Sequence, residues 1–285
     1  MRRDGWSASD AVISFLSCGS PEEIGTLERR NSAVFLVFSV FPVTTIAVRG
    51  DISQGGLLDV TQNSSEGINM KSVVFYNNKG GVGKTTFAVH CALRAAVHHR
   101  LRTVAIGLDR QGDILRWISG GEVWVGDGTV HQHSPNLTVI YSPNQQPNLR
   151  LNADLAVMDS SPSLALAGSV RADLVVVPVD GRLALDDLQN ALPDLIESQA
   201  KLLVVINRAD AGGTRTLAAL KRACAKVPKL TVWSHPVPDS PAIKRAAEYY
   251  RPVWDVPYGE ASEGNKIMKA LCDDILRTLG LGGHR

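Results

Sequence analysis

Asn77-Asn78-Lys79-Gly80-Gly81-Val82-Gly83-Lys84-Thr85-Thr86 stands between a short apolar run at 72–77 and a stretch of helical spacing at 84–98. A glycine-rich loop between a strand and a helix has a physical meaning that the same letters elsewhere lack. Glycines at 80, 81 and 83 let the backbone bend so that successive N–H groups, and the start of the helix, face a polyphosphate. In such a loop Lys84 reaches the β- and γ-phosphates and the Thr85 hydroxyl ligates Mg²⁺. The bland alternative is a glycine-rich turn with solvated lysines, and the flanking strand and helix argue against it.

Outward from the loop, Val/Ile/Leu-rich runs recur at 103–108, 137–141, 154–158, 173–179, 202–206 and 230–233. Helical spacing separates most of them, at 183–199, 213–227, 240–249 and 262–279. Near-continuous apolar strands alternating with helices imply a mostly parallel, doubly wound sheet covered on both faces. The expected fold is therefore the three-layer α/β fold of P-loop NTPases, over residues 70–285. The last helix carries Ile267, Met268, Leu271, Ile275, Leu276 and Leu279 on one face.

The first 69 residues have a different composition. They carry 5 basic and 8 acidic side chains, net −3, whereas residues 70–285 carry 25 basic and 20 acidic ones, net +5. Their apolar run at 33–48 is interrupted by Pro42, Thr44 and Thr45, and falls short of the roughly 20 residues that span a bilayer. We expect residues 1–69 to be an extension, disordered or not natively translated, with Met70 as the natural start. Cys18, Cys91, Cys224 and Cys272 are too scattered for a disulfide framework or a metal knuckle, and they fit a reducing cytoplasm.

The strict pattern G-x-x-x-x-G-K-S/T fails, because Asn78 occupies the place of its first glycine and an extra lysine stands at 79. KGGVGKTT resembles the deviant Walker A motif of the ParA/MinD family. That resemblance implies ATP and Mg²⁺ as cofactors, with Lys79, Gly80, Gly81, Val82, Gly83, Lys84, Thr85 and Thr86 around the nucleotide. It also implies that Lys79 crosses a homodimer interface to the partner's ATP.

Gly107-Leu108-Asp109-Arg110-Gln111-Gly112 is similar to the family's D-x-D-P-Q motif, with glycine for the first aspartate and arginine for the proline. By that resemblance Asp109 orients the attacking water, a task needing a fixed acceptor near the γ-phosphate. Leu155-Ala156-Val157-Met158-Asp159 has the Walker B form, and Ser160-Ser161-Pro162-Ser163 resembles the D-x-P-P-S switch. Asp159 is expected to share the metal with Thr85, and Asn207 to read the adenine edge beside the 236–239 segment. The likeness covers nearly all of 70–285 and is similar to small plasmid-type ParA proteins that lack a helix-turn-helix domain.

The 201–251 stretch holds ten Lys/Arg against Asp210, Asp239 and Glu248. Arg215, Lys221, Arg222, Lys244 and Arg245 are candidate contacts for nonspecific DNA, alongside Lys226, Lys229 and Arg251. The leading expectation is an ATPase, slow and partner-stimulated, that segregates DNA on the nucleoid with a small ParB-like centromere-binding partner. A MinD-like positioning ATPase would need a C-terminal amphipathic helix with a basic polar face, which Asp273 and Asp274 disfavour. A synthetase of the dethiobiotin or cobyrinic-acid type shares the fold, but the sequence carries no clear substrate-pocket signature for it, and Lys79 favours the switch. An iron protein is disfavoured because Cys91 and Cys224 do not stand where a bridging cluster is ligated.

Overall fold

The computed structural model describes residues 26–30, 33–38, 46–50, 70–122, 126, 128–143, 152–162, 171–180, 184–197, 200–209, 213–225, 227 and 229–281. Ser163 and Lys226 lie outside them. The chain divides into two compact units, one of residues 1–64 with 148–151 and one of 65–147 with 152–285. In the first, β1 (Thr26–Arg30), β2 (Ala33–Phe38) and β3 (Ile46–Gly50) form an antiparallel sheet in the order β1-β2-β3.

The second unit carries every motif named above. Its strands are β4 (Lys71–Phe75), β5 (Thr103–Gly107), β6 (Val130–Ser134), β7 (Leu137–Tyr141), β8 (Leu155–Asp159), β9 (Leu174–Asp180), β10 (Lys201–Asn207) and β11 (Leu230–Val232). They form one sheet in the order β11-β10-β9-β4-β8-β5-β7-β6, parallel except for the β6–β7 pair. Every residue of β5 and β8 is buried, as expected of central parallel strands covered on both sides.

The helices are α1 (Lys84–Leu93), which runs on into a π-helical turn at Arg94–His98, then α2 (Asp113–Ile118), α3 (Ala184–Glu197), α4 (Gly213–Cys224), α5 (Pro241–Glu248) and α6 (Glu263–Thr278). Strand alternation sorts them into layers. Val73, Phe75, Leu174, Val176, Leu203 and Val205 belong to one buried cluster with residues of α1, α2, α5 and α6. The intervening Val74, Val175, Val177 and Val204 are equally buried but outside that cluster, as are Leu188, Ala191 and Leu195 of α3 and Leu220 of α4. Helices α3 and α4 pack on β9 and β11, so they cover the opposite face. Each fully buried Val or Leu contributes roughly 1.5–3 kcal/mol from removal of apolar surface from water.

In the second unit, helix α2 and strand β6 were not legible as such. Helix α2 is six residues long, too short for a helical period, and forms because Ile114, Leu115, Trp117 and Ile118 are all buried. Strand β6 reads Val-His-Gln-His-Ser and is mostly exposed at the sheet edge, so it lacks the apolar run that marks the others. Among the described residues no helix is long and apolar enough to cross a membrane.

The register sets up a site. Phe75 pairs with Asp159 and Asp159 with Gly107, so β4, β8 and β5 end in one row. Three chain segments leave the sheet from that row side by side: the glycine loop, the Ser160–Ser161 turn and the Leu108–Gly112 loop. The chain runs from β4 to β5 on one side and from β8 across to β9 on the other, and in open α/β sheets such a switch point is where ligands bind.

Candidate functional site

Backbone geometry of the glycine loop follows from residue type. Gly81 and Gly83 have φ of 75° and 106°, in the left-handed region that favours glycine. A Cβ at Gly80 or Gly81 would meet nothing within 4 Å, so that side of the loop is an open cradle of main chain. A Cβ at Gly83 would collide with the Asn207 amide group.

Side chains fasten the loop from below. Asn77, fully buried, donates from Nδ2 to the Pro178 carbonyl at 2.8 Å and accepts the Lys79 N–H at 2.9 Å. Asn207 ends β10 and donates from Nδ2 to the Val82 carbonyl at 2.8 Å. The structure therefore puts Asn207 under the loop, a brace as well as the expected neighbour of a base. Lys79 is half-buried, and Lys84 donates from Nζ to the Lys79 carbonyl at 2.9 Å, lying across the cradle.

Lys84, Thr85, Asp109 and Asp159 come together at the carboxyl end of the sheet. Thr85 Oγ1 donates to Asp159 Oδ2 at 2.7 Å. Asp159 is 1% exposed, and its Oδ1 is buried without a hydrogen-bond partner. Burial pushes the Asp159 carboxyl up to about 7, against the Thr85 hydrogen bond and the Lys84 charge, with the Asp109 charge adding to the rise. Burial also lowers the Lys84 ammonium, which the Asp159 and Asp109 carboxylates counteract. A buried carboxylate oxygen left unpaired beside a hydroxyl is costly unless a cation or its water satisfies it. These donors fit Mg²⁺, a hard cation that takes one or two protein oxygens and keeps several waters.

Asp109 is half-buried just beyond β5. Its Oδ1 accepts the Gln111 N–H at 3.0 Å and its carbonyl accepts the Gly112 N–H at 3.0 Å, a tight Asx turn. The Leu108 N–H donates to the Asp159 carbonyl at 2.9 Å, joining the two acidic segments. Ser160 Oγ donates to the Phe75 carbonyl at 2.8 Å and pins the following turn to the base of the loop. Sequence reasoning gave no role to Asn77, Ser160 or Tyr141, whose hydroxyl donates to the Arg110 carbonyl at 2.9 Å. Their partners are main-chain carbonyls, which leave no signature in a sequence.

The candidate DNA residues are divided. Arg215, Lys221 and Arg222 are exposed on α4, which covers one face of the sheet. Lys244 and Arg245 are on α5, in the layer covering the other face. Lys244 Nζ is paired with Asp239 at 2.8 Å, and Arg245 is half-buried with its Nε enclosed.

Comparison with known proteins places this geometry. The profile for the CobQ/CobB/MinD/ParA nucleotide binding domain matches residues 73–253. No curated protein matches the sequence. A McdA variant from Cyanothece, solved as an ATP complex, is 17% identical with a TM-score of 0.58, over 77% of this chain and 100% of that one. The septum site-determining protein MinD of Pyrococcus horikoshii, complexed with Mg-ADP, is 14% identical with a TM-score of 0.59, over 76% and 100%. A putative plasmid partition protein of Borrelia burgdorferi bound to AMPPNP is 17% identical with a TM-score of 0.51, over 71% and 99%. At such identities the structures establish the fold, and the profile, matched across more than half the chain, establishes the family. The chain belongs to the CobQ/CobB/MinD/ParA nucleotide-binding family, a branch of P-loop proteins that includes the ParA and MinD ATPases.

Proposed function

We propose that this chain is an ATP-dependent switch that hydrolyses ATP to ADP and phosphate and, as an ATP-closed homodimer, positions or segregates DNA. The carrying observation is the convergence of Lys84, Thr85 and Asp159 under an open glycine cradle, with Asp159 Oδ1 buried and unpaired. Main-chain N–H groups from Gly80 to Thr85 and the Lys84 ammonium hold the β- and γ-phosphates. Thr85 and Asp159 hold the magnesium ion, which when bound neutralises phosphate charge. Asp109 accepts a hydrogen bond from a water and aligns its oxygen with the γ-phosphorus. That oxygen forms the new P–O bond while the bond to the β-phosphate oxygen breaks.

Lys79 acts in trans, reaching the nucleotide of a second copy so that ATP becomes part of the subunit interface. Asn207 flanks the base from its position beneath the loop. Arg215, Lys221 and Arg222 supply phosphate contacts to DNA without base readout, with Lys244 and Arg245 as secondary contributors. A small ParB-like partner stimulates hydrolysis and release, and the working site is the cytoplasm, on the nucleoid. The MinD-like alternative, docking on lipid through the last helix, is opposed by one observation. The apolar face of α6, with Met268, Leu271, Ile275 and Leu276 each 0% exposed, is already committed to the core.

Co-sedimentation with plasmid DNA and with anionic liposomes, each with and without Mg-ATP, tests this reading. ATP-dependent DNA binding that falls steeply with salt is expected, since each neutralised phosphate releases counterion. The substitutions Arg215→Ala and Arg222→Ala should each flatten that salt slope by about one ion. Liposome binding without DNA binding would reject the DNA cargo.

A further inference from the structure

We infer that Tyr141 is a positioning residue for Asp109, its hydroxyl bracing the 108–112 loop from the neighbouring strand. The inference rests on Asp109 serving hydrolysis. Tyr141 is 7% exposed and held at the end of β7, where it pairs with Gly107 of β5. Its N–H donates to the Thr129 carbonyl at 2.9 Å and its carbonyl accepts the Gly128 N–H at 3.0 Å. The Ser142 N–H donates to the Gly107 carbonyl at 2.9 Å. The ring therefore starts from fixed main chain on both sides.

From there the hydroxyl reaches the Arg110 carbonyl at 2.9 Å. Arg110 lies between Asp109 and Gln111, inside the Asx turn that fixes the Asp109 carboxylate. Leu108 ties the near end of this loop to Asp159, and Tyr141 ties its tip to β7. Tyrosine suits the task because only two side-chain torsions need to be immobilised.

Gly107 belongs to the same device. A Cβ there would stand 2.9 Å from Ile114 Cγ2 and 3.6 Å from Tyr141 Cδ2. Where the ParA/MinD motif has its first aspartate, this chain has Ile114 from α2 packed against the sheet, with the Tyr141 ring beside it. The loop is held by apolar packing and one hydroxyl in place of an acidic side chain. That is a physical account of why Gly107 departs from the motif: the glycine admits Ile114.

The test uses the full chain carrying Tyr141→Phe, which keeps the ring and removes the hydroxyl. Amide exchange at Gln111 and Gly112, read by NMR, reports loop opening; Val157 and Val176 in the core strands serve as controls. Loss of one hydrogen bond should speed exchange at 111 and 112 roughly three- to tenfold and leave the controls unchanged. Affinity for a fluorescent ATP analogue should stay at the wild-type value, while kcat falls by the same order and KM holds. Wild-type exchange rates at 111 and 112 would overturn the brace. Faster exchange with wild-type turnover would keep the brace and overturn the positioning role of Tyr141, while normal turnover by Asp109→Ala would instead overturn the role of Asp109 itself. Gly107→Ala, which crowds Ile114, should also speed exchange at 111 and 112, and an unchanged rate there would overturn the packing half of the device.

Discussion

Acidification from pH 7 to pH 5 should cost the fold about 2 kcal/mol through His90 alone. His90 is fully buried on α1, one turn beyond Thr86. Its Nδ1 lies 2.6 Å from the Thr86 carbonyl and its Nε2 accepts the Val253 N–H at 2.9 Å. One nitrogen thus donates and the other accepts, which fixes the ring in one neutral tautomer. Trp117 and Trp254 stand edge-on to it, with centroids at 5.7 and 5.4 Å. Burial depresses the imidazole to about 4 from its usual 6.5, with only the Thr86 bond opposing.

The folded value lies below the unfolded one, so under pH 6.5 the unfolded chain takes up a proton that the native protein refuses. The stability from neutral His90 is complete above that pH and is lost as pH falls towards about 4. At about 1.4 kcal/mol per unit, the full loss is on the order of 3 kcal/mol, of which about 2 is incurred by pH 5. Urea unfolding of wild type and His90→Phe at pH 7 and pH 5 isolates the effect. The phenylalanine variant leaves the Val253 N–H unpaired and should be less stable at pH 7 by roughly 1–3 kcal/mol. Its further loss at pH 5 should be smaller than that of wild type by about 2 kcal/mol. Equal losses in the two proteins would refute a buried neutral His90.

The Lys84→Ala variant should fold and bind ATP roughly 100-fold more weakly, measurable by calorimetric titration, because a charge-assisted phosphate contact is gone. Asp109→Ala should bind ATP with wild-type affinity and release phosphate about 100-fold more slowly in a single-turnover assay. Gly107→Asp reinstates the acidic residue of the family motif yet should lower the melting temperature and slow hydrolysis. Its Cβ would meet Ile114 Cγ2 at 2.9 Å, and overpacking of this kind costs roughly 1–3 kcal/mol. A faster enzyme would contradict that packing.

The strands and the loop were legible in the sequence because burial on both faces demands unbroken apolar runs, as in Leu155 to Asp159, and because Gly81 and Gly83 need positive φ. Lys84 and Thr85 were marked by the glycine loop that opens α1, Asp159 by the apolar run that it ends, and Asp109 by resemblance to the family motif just beyond β5. Strand β6 was not legible because an edge strand can be polar. The basic residues of 201–251 are divided between two layers, because between α4 and α5 the chain passes through edge strand β11 and changes sides of the sheet. Arg222 and Lys244, near in sequence, therefore stand in different layers. Braces such as Asn77, His90 and Tyr141 depend on main-chain partners in distant elements, which no local pattern records.

Light scattering with Mg²⁺ and a slowly hydrolysed ATP analogue is the most direct measurement of the proposed switch. Wild type should shift to twice its 30.7 kDa chain mass, whereas Lys79→Ala should bind the analogue with similar affinity and stay at the monomer mass. A wild-type protein that binds the analogue and remains monomeric, or a Lys79→Ala variant that dimerises as readily, would contradict an ATP-closed interface completed by Lys79 in trans.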